Sequence, residues 1–237
     1  MRAAGEFASL LPAAPLLNRA PRGDGHHVVV LPGFTASDAS TVPLRRFLER
    51  QGWVAHGWGL GRNLGFAALV HQLDDFLAHA LERAGGPVSL VGWSLGGVMA
   101  RRLAKRYPSQ VRRLVMLGSP ITGSPTDTAV FRTYDRFMPG RREEIEARYS
   151  NPDLLAPAPG VPSTSIWSRT DGVVPWQIAR EQAGPLTENV EVQASHLGLG
   201  VNPAVFYAVA DRLAQGSDPW QRFTPPRILR GLITPGR

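Results

Sequence analysis

Residues 92–96 read Gly-Trp-Ser-Leu-Gly, and their flanks constrain the fold more than any other feature of the chain. Just before them stands the apolar run Val88-Ser-Leu-Val91. Just after, beyond Gly97, comes Val98-Met-Ala-Arg-Arg-Leu-Ala-Lys-Arg-Tyr107, apolar at helical spacing. A strand that turns at once into a helix leaves no room for side chains at Gly92 and Gly96, where neighbouring backbone would be struck. Such a turn holds Ser94 in strained geometry with its hydroxyl outward, and the helix start offers free N–H groups to a developing negative charge. The pentapeptide alone recurs by chance. Between a strand and a helix it singles out Ser94 as a candidate nucleophile, and the alternative of a helix-capping serine is the weaker one.

The remaining chain keeps the same rhythm. Residues 27–31 (His-Val-Val-Val-Leu) form a continuous apolar run ending at Pro32-Gly33, which suits a strand buried on both faces. Residues 41–51 read as a helix, 53–58 as a second strand, and 66–84 as a helix with Leu69, Val70, Leu73, Phe76, Leu77 and Leu81 along one side. Residues 88–91, 111–117, 165–168 and 190–192 supply further strands, with helices over 95–106 and 203–215. Strand alternating with helix predicts an α/β fold around a mostly parallel sheet of about six strands. Residues 119–162 break the rhythm: Pro, Gly, Ser and Thr gather at both ends of a charged middle segment. They read as an insertion covering one end of the sheet. The expected organisation is an N-terminal extension over 1–25, one domain over 26–215 and a Pro-rich basic tail over 216–237.

A serine hydroxyl needs a base. Of six histidines, His71 and His79 fall inside the predicted helix over 66–84, and His26, His27 and His56 lie in or beside strands. His196 lies in Ala-Ser-His-Leu-Gly-Leu-Gly (194–200), after the last strand and before the last helix. In a parallel sheet that loop opens at the carboxyl edge, on the side of Ser94. Asp171, in Arg-Thr-Asp-Gly-Val-Val (169–174), follows the next-to-last strand and is placed to orient the imidazole. An Asp-Gly turn is its bland alternative, and Asp127 and Asp153 in the insertion are its rivals. Two N–H donors for an oxyanion are expected from Leu95, next to the serine, and from Phe34, since Gly33 lets that backbone come close.

Composition narrows the field. The chain of 237 residues has no cysteine, which removes disulfides, thiol nucleophiles, thiolate-held zinc and iron–sulfur clusters. The net charge of +7 rests on arginine, Lys105 being the single lysine. The arginines stand in scattered pairs such as 45–46, 101–102, 112–113 and 141–142, read here as solvated faces, so no nucleic-acid partner is expected. No stretch approaches the roughly 18 apolar residues of a membrane span. Gly5, Glu6, Pro12 and Pro15 break up any signal-peptide core, so a cytoplasmic location is expected.

The order Ser94, Asp171, His196 and the strand–turn–helix around Ser94 resemble the α/β-hydrolase superfamily, and within it the compact bacterial lipases and esterases. The resemblance covers residues 26–215. It implies hydrolysis of carboxylic esters through an acyl-enzyme on Ser94, with no cofactor and no metal, and a lid or cap where the 119–162 insertion lies. Two departures stand out: Pro32-Gly33 occupies the place where lipases of this group usually carry His-Gly, and no strand-like sequence precedes His27. Trp93, Phe131, Tyr134, Phe137, Met138 and Trp176 are the candidate lining of an apolar pocket for short- to medium-chain esters, whereas Met99 reads as core. The nearest alternative is an acyltransferase using the same acyl-enzyme. A binding module on a hydrolase scaffold is another, which the complete triad argues against. The partner implied is a small-molecule ester; the oligomeric state stays open.

Overall fold

A computed structural model describes residues 2–65, 69–122, 128–129, 157–216 and 220–236. Among them, seven strands form one sheet in the order β2-β1-β3-β4-β5-β6-β7. The strands are β1 (His27–Leu31), β2 (Val54–Gly57), β3 (Val88–Trp93), β4 (Val111–Leu117), β5 (Ser163–Trp167), β6 (Thr187–Val192) and β7 (Ile233–Gly236). Every neighbouring pair is parallel except β6–β7. Six strands therefore follow the expected alternation, and the seventh comes from the tail. Its sequence, Ile-Thr-Pro-Gly, carries a proline that a central strand would not tolerate but an edge strand does.

The β-branched run of β1 explains the layering. Val28 and Val30 face one core, with Leu44, Phe47 and Leu48 of α3 (Asp38–Gln51) and Val205, Phe206 and Val209 of α6 (Pro203–Ala214). Val29 and Leu31 face the other, with Leu73, Phe76 and Leu77 of α4 (Leu73–Ala84) and Val98, Met99 and Leu103 of α5 (Leu95–Arg106). Side chains alternate across a strand, so a run of apolar residues fits only a sheet covered on both faces. Each fully buried side chain of this size contributes about 1.5–3 kcal/mol. Met99 is fully buried, as expected of core.

The flanking segments join this body. Residues 2–17 form two short helices, α1 (Arg2–Ala8) and α2 (Ala14–Leu17), and Leu17 and Ala20 are buried in the first core. The tail is fixed by Glu188, which accepts from Thr164 Oγ1 (2.8 Å), Arg212 Nη1 (2.7 Å) and the Phe223 N–H (2.7 Å). The reading of the arginine pairs as solvated faces needs correction. Arg101 is 1% exposed and gives a two-pronged hydrogen bond to Glu181 at 2.6 and 3.0 Å. Arg113, 2% exposed, donates to the Gln215 and Gly216 carbonyls that lead into the tail. Planar guanidinium geometry lets such side chains be buried where carboxylates or carbonyls meet both prongs. The greater part of the 119–162 insertion, including Asp127 and Asp153, lies outside the described residues. Among the described residues, no helix is long and apolar enough to cross a membrane.

Candidate active site

The turn between β3 and α5 has the geometry its glycines imply. Ser94 sits at φ 54°, ψ −122°, a conformation that side chains rarely adopt. A Cβ at Gly92 would strike the backbone of Gly96 and Gly97, and one at Gly96 would strike the carbonyls of Leu31 and Pro32. The strain, about 1–3 kcal/mol for such a residue, is held by the Ser94 N–H to the Leu117 carbonyl (2.8 Å) and the Gly97 N–H to the Ser94 carbonyl (3.0 Å). Among the described residues, the other non-glycine at positive φ is Thr35, at 60°. It lies in the turn after β1, whose Gly33 would bring a Cβ to 3.3 Å from the Ser94 Cβ. Two strained turns thus meet at the serine.

The loops after β5 and β6 bring in the other two candidates. His196 Nε2 lies 3.0 Å from Ser94 Oγ, and His196 Nδ1 lies 2.8 Å from Asp171 Oδ2. Asp171 and His196 are both buried, at 6% and 7% exposure. The second carboxylate oxygen of Asp171 accepts the N–H groups of Val173 (2.9 Å) and Val174 (2.7 Å). The two loops are also laced together directly. The His196 N–H donates to the Asp171 carbonyl (2.9 Å), Thr170 Oγ1 to the Ala194 carbonyl (3.1 Å), and the Ala194 N–H to Ser168 Oγ (3.2 Å). The three residues singled out by sequence are therefore in one hydrogen-bonded chain.

Leu95 opens α5, where the first N–H groups have no partner within the helix. Among the described residues, neither the Leu95 N–H nor the Phe34 N–H has a hydrogen-bond acceptor. The Phe34 side chain is 40% exposed. Trp93 and Trp176, the two expected lining residues that the structure describes, each make contacts of their own. The Trp93 indole N–H donates to the His196 carbonyl (3.1 Å), and the ring lies against Gly200, so this side chain braces the His196 loop. Trp176 stacks on Trp167 with centroids 5.4 Å apart, and the Arg169 guanidinium lies against both rings, 4.4 Å from the Trp176 centroid and 5.5 Å from that of Trp167. Phe131, Tyr134, Phe137 and Met138 lie outside the described residues.

Two residues of this site escaped the sequence reading. Gly118, at φ 55°, ends β4 beneath the Asp171–His196 pair. A Cβ there would approach Asp171 Oδ2 at 3.0 Å and His196 Nδ1 at 3.3 Å. Its one sequence signal is a glycine directly after a strand. Asn63 is fully buried. It ties down the turn after β1 through three bonds: its Nδ2 to the Pro32 carbonyl (2.8 Å), the Thr35 N–H to its carbonyl (2.7 Å) and its N–H to the Ala36 carbonyl (2.8 Å), while its Oδ1 accepts the Gly65 N–H (3.1 Å) within its own loop. Nothing in the loop Gly-Leu-Gly-Arg-Asn-Leu-Gly announces this. Among the described residues, no three His, Asp or Glu side chains come together as a metal-holding group.

A mostly parallel sheet covered on both faces, with a strained serine at the strand-to-helix turn, defines an α/β protein of the hydrolase type. The model of the Alpha/beta hydrolase family matches residues 6–234, and the chain belongs to that family. A pimeloyl-[acyl-carrier protein] methyl ester esterase of Shewanella sp. (strain MR-7) is 25% identical over 87% of this chain and 94% of its own. Among solved structures, mouse alpha/beta hydrolase domain-containing protein 10 matches with a TM-score of 0.58 at 21% identity, over 81% of this chain and 89% of that one. The pyrethroid hydrolase PytH matches with a TM-score of 0.55 at 21% identity, over 79% of this chain and 96% of that one. At these identities the structural likeness speaks to the fold.

Proposed function

We propose that the protein is a serine-dependent carboxylic ester hydrolase in which Ser94, His196 and Asp171 act as nucleophile, base and orienting acid. The observation that carries this reading is the continuous chain Ser94 Oγ–His196 Nε2–His196 Nδ1–Asp171 Oδ2, with contacts of 3.0 and 2.8 Å. With the Nδ1 proton directed to Asp171, Nε2 is left to take the serine proton. Ser94 Oγ attacks the ester carbonyl carbon, and the carbonyl oxygen becomes an oxyanion received by the N–H groups of Phe34 and Leu95. A donor of this kind is worth roughly 3–4 kcal/mol in the transition state. Collapse expels the alcohol, which takes its proton from His196, and leaves an acyl group on Ser94. Water, deprotonated by the same imidazole, attacks the acyl carbon and returns the acid and the free serine.

The ester bond as target is supported by the family and by a relative named as a methyl ester esterase. The apolar residues Phe131, Tyr134, Phe137 and Met138 in the sequence of the 119–162 segment favour an apolar acyl group, and the shortness of that segment favours short or medium chains over long ones. The test is a panel of p-nitrophenyl esters of increasing acyl length on wild type and Ser94→Ala. Turnover should be greatest for short or medium chains and vanish in the variant. Equal turnover by Ser94→Ala would remove the reading.

A further inference from the structure

The first helix of the chain reaches the site through one side chain. Glu6 of α1 directs its carboxylate at Ser195, the residue immediately before His196. Glu6 Oε1 accepts the Ser195 N–H at 2.9 Å, and Glu6 Oε2 accepts the Ser195 hydroxyl at 2.5 Å. Ser195 Oγ in turn accepts the Gly198 N–H at 3.1 Å, which folds the 195–198 segment around the carboxylate. The same carboxylate fills the space where a Cβ at residue 198 would lie, so glycine at that position and Glu6 are fitted to each other. From this segment the Leu199 N–H returns to the Ser195 carbonyl at 3.0 Å, and Leu199 is buried in the core.

We propose that Glu6 is a positioning residue that sets the register of His196, an inference that rests on the Ser94–His196–Asp171 reading. His196 is held from three sides: Asp171 holds its Nδ1, the Trp93 indole N–H donates to its backbone carbonyl, and Glu6 holds the residue before it. The Glu6 bonds are two-pronged, one to the backbone N–H and one to the hydroxyl of Ser195, and a carboxylate acceptor makes such bonds stronger than neutral ones. They also resist rotation about Ser195, which a single bond would allow. With Nε2 at 3.0 Å from Ser94 Oγ, a loop displaced by a fraction of an ångström loses the proton path while the ester can still bind. Residues 1–25, remote in sequence from the site, thus contribute to its geometry.

The experiment compares wild type, Glu6→Ala, Glu6→Gln, Ser195→Ala and Ser94→Ala on p-nitrophenyl butyrate, with active serines counted by a fluorophosphonate. Glu6→Ala should lower kcat per counted site about tenfold with KM within about twofold. Glu6→Gln retains an oxygen for the Ser195 N–H and should recover most of the loss. Ser195→Ala, which keeps the backbone bond to Glu6, should lose less than Glu6→Ala. If Glu6→Ala does not fold, Glu6→Gln and Ser195→Ala carry the comparison, with kcat per site below wild type in both. A kcat per site equal to wild type in the variants that fold would overturn the proposal and leave Glu6 as a helix-docking contact alone. Full turnover by Ser94→Ala would instead overturn the reading on which it rests.

Discussion

Asp171 uses both of its carboxylate oxygens: one faces His196 Nδ1, and the other accepts two consecutive backbone N–H groups. An amide cannot reproduce this. If its oxygen faces the Val173 and Val174 N–H groups, its NH2 faces His196 and forces the proton onto Nε2, where it blocks the serine. Asp171→Asn is therefore expected to cut kcat by about 10⁴-fold with little change in fold. Steady-state hydrolysis with a circular dichroism control checks this, and near-normal turnover would move the role to another carboxylate. The topological slots of Ser94, Asp171 and His196 made these residues legible in sequence, since each follows a predicted strand at one edge of the sheet. Gly118 was not legible, because its importance is a space beneath two side chains brought together from loops 25 residues apart. The hydrogen bond from the Trp93 indole N–H to the His196 carbonyl was not legible for a related reason, since it joins residues far apart in sequence.

The turn after β1 shows how one element borrows its shape from another. Its Thr35 is strained, and Asn63 holds it from a separate loop through backbone and side chain together. Asn63→Ala would leave the Pro32 carbonyl and the Gly65 N–H without their side-chain partner. The expected cost is about 1–3 kcal/mol of stability for unpaired buried groups. A fall in kcat larger than any rise in KM should accompany it, because Phe34 sits in that turn. Thermal melting and ester kinetics on the same preparation test both; unchanged kcat would detach the turn from the oxyanion. Strands β1, β3 and β4 and helix α5 were readable because apolar runs and helical periodicity suffice when both faces of a sheet are covered. The helices α1 and α2 and the strand β7 were not. All three carry few core residues, proline stands in α2 and β7, and contacts such as Glu6 with Ser195, Leu17 with the core and Glu188 with Phe223 hold these segments in place.

Charge organises the molecule as a whole more than its scattered arginine pairs suggested. Arg101 with Glu181 and Arg212 with Glu188 are buried pairs that pin loops and tail to the central body. At the opposite end of β1, His26 is enclosed between Asp24 and Ser89, at 2.5 and 2.9 Å. Burial lowers its pKa from 6.5, and the Arg112 and Arg113 charges act the same way against the opposing hydrogen bond from Asp24. His56 is lowered as well, by burial and then by the neighbouring Arg83 and His27. A histidine that the fold prefers neutral contributes its full stability above its unfolded value and loses it as pH falls through the folded one. The melting temperature should therefore hold steady above pH 6.5, the ordinary histidine value, and decline as the solution is acidified below it. His26→Gln should flatten that decline. Melts across this range decide the matter, and a melting temperature that rises on acidification would contradict it.

The kinetic expectations return to one serine on a strained turn. The most direct measurement is intact-protein mass spectrometry after treatment with a fluorophosphonate, followed by peptide mapping and repeated on Ser94→Ala. A single adduct is expected, located on Ser94, appearing in step with loss of ester hydrolysis and absent from the variant. An adduct at another residue, or full hydrolysis by Ser94→Ala, would contradict it.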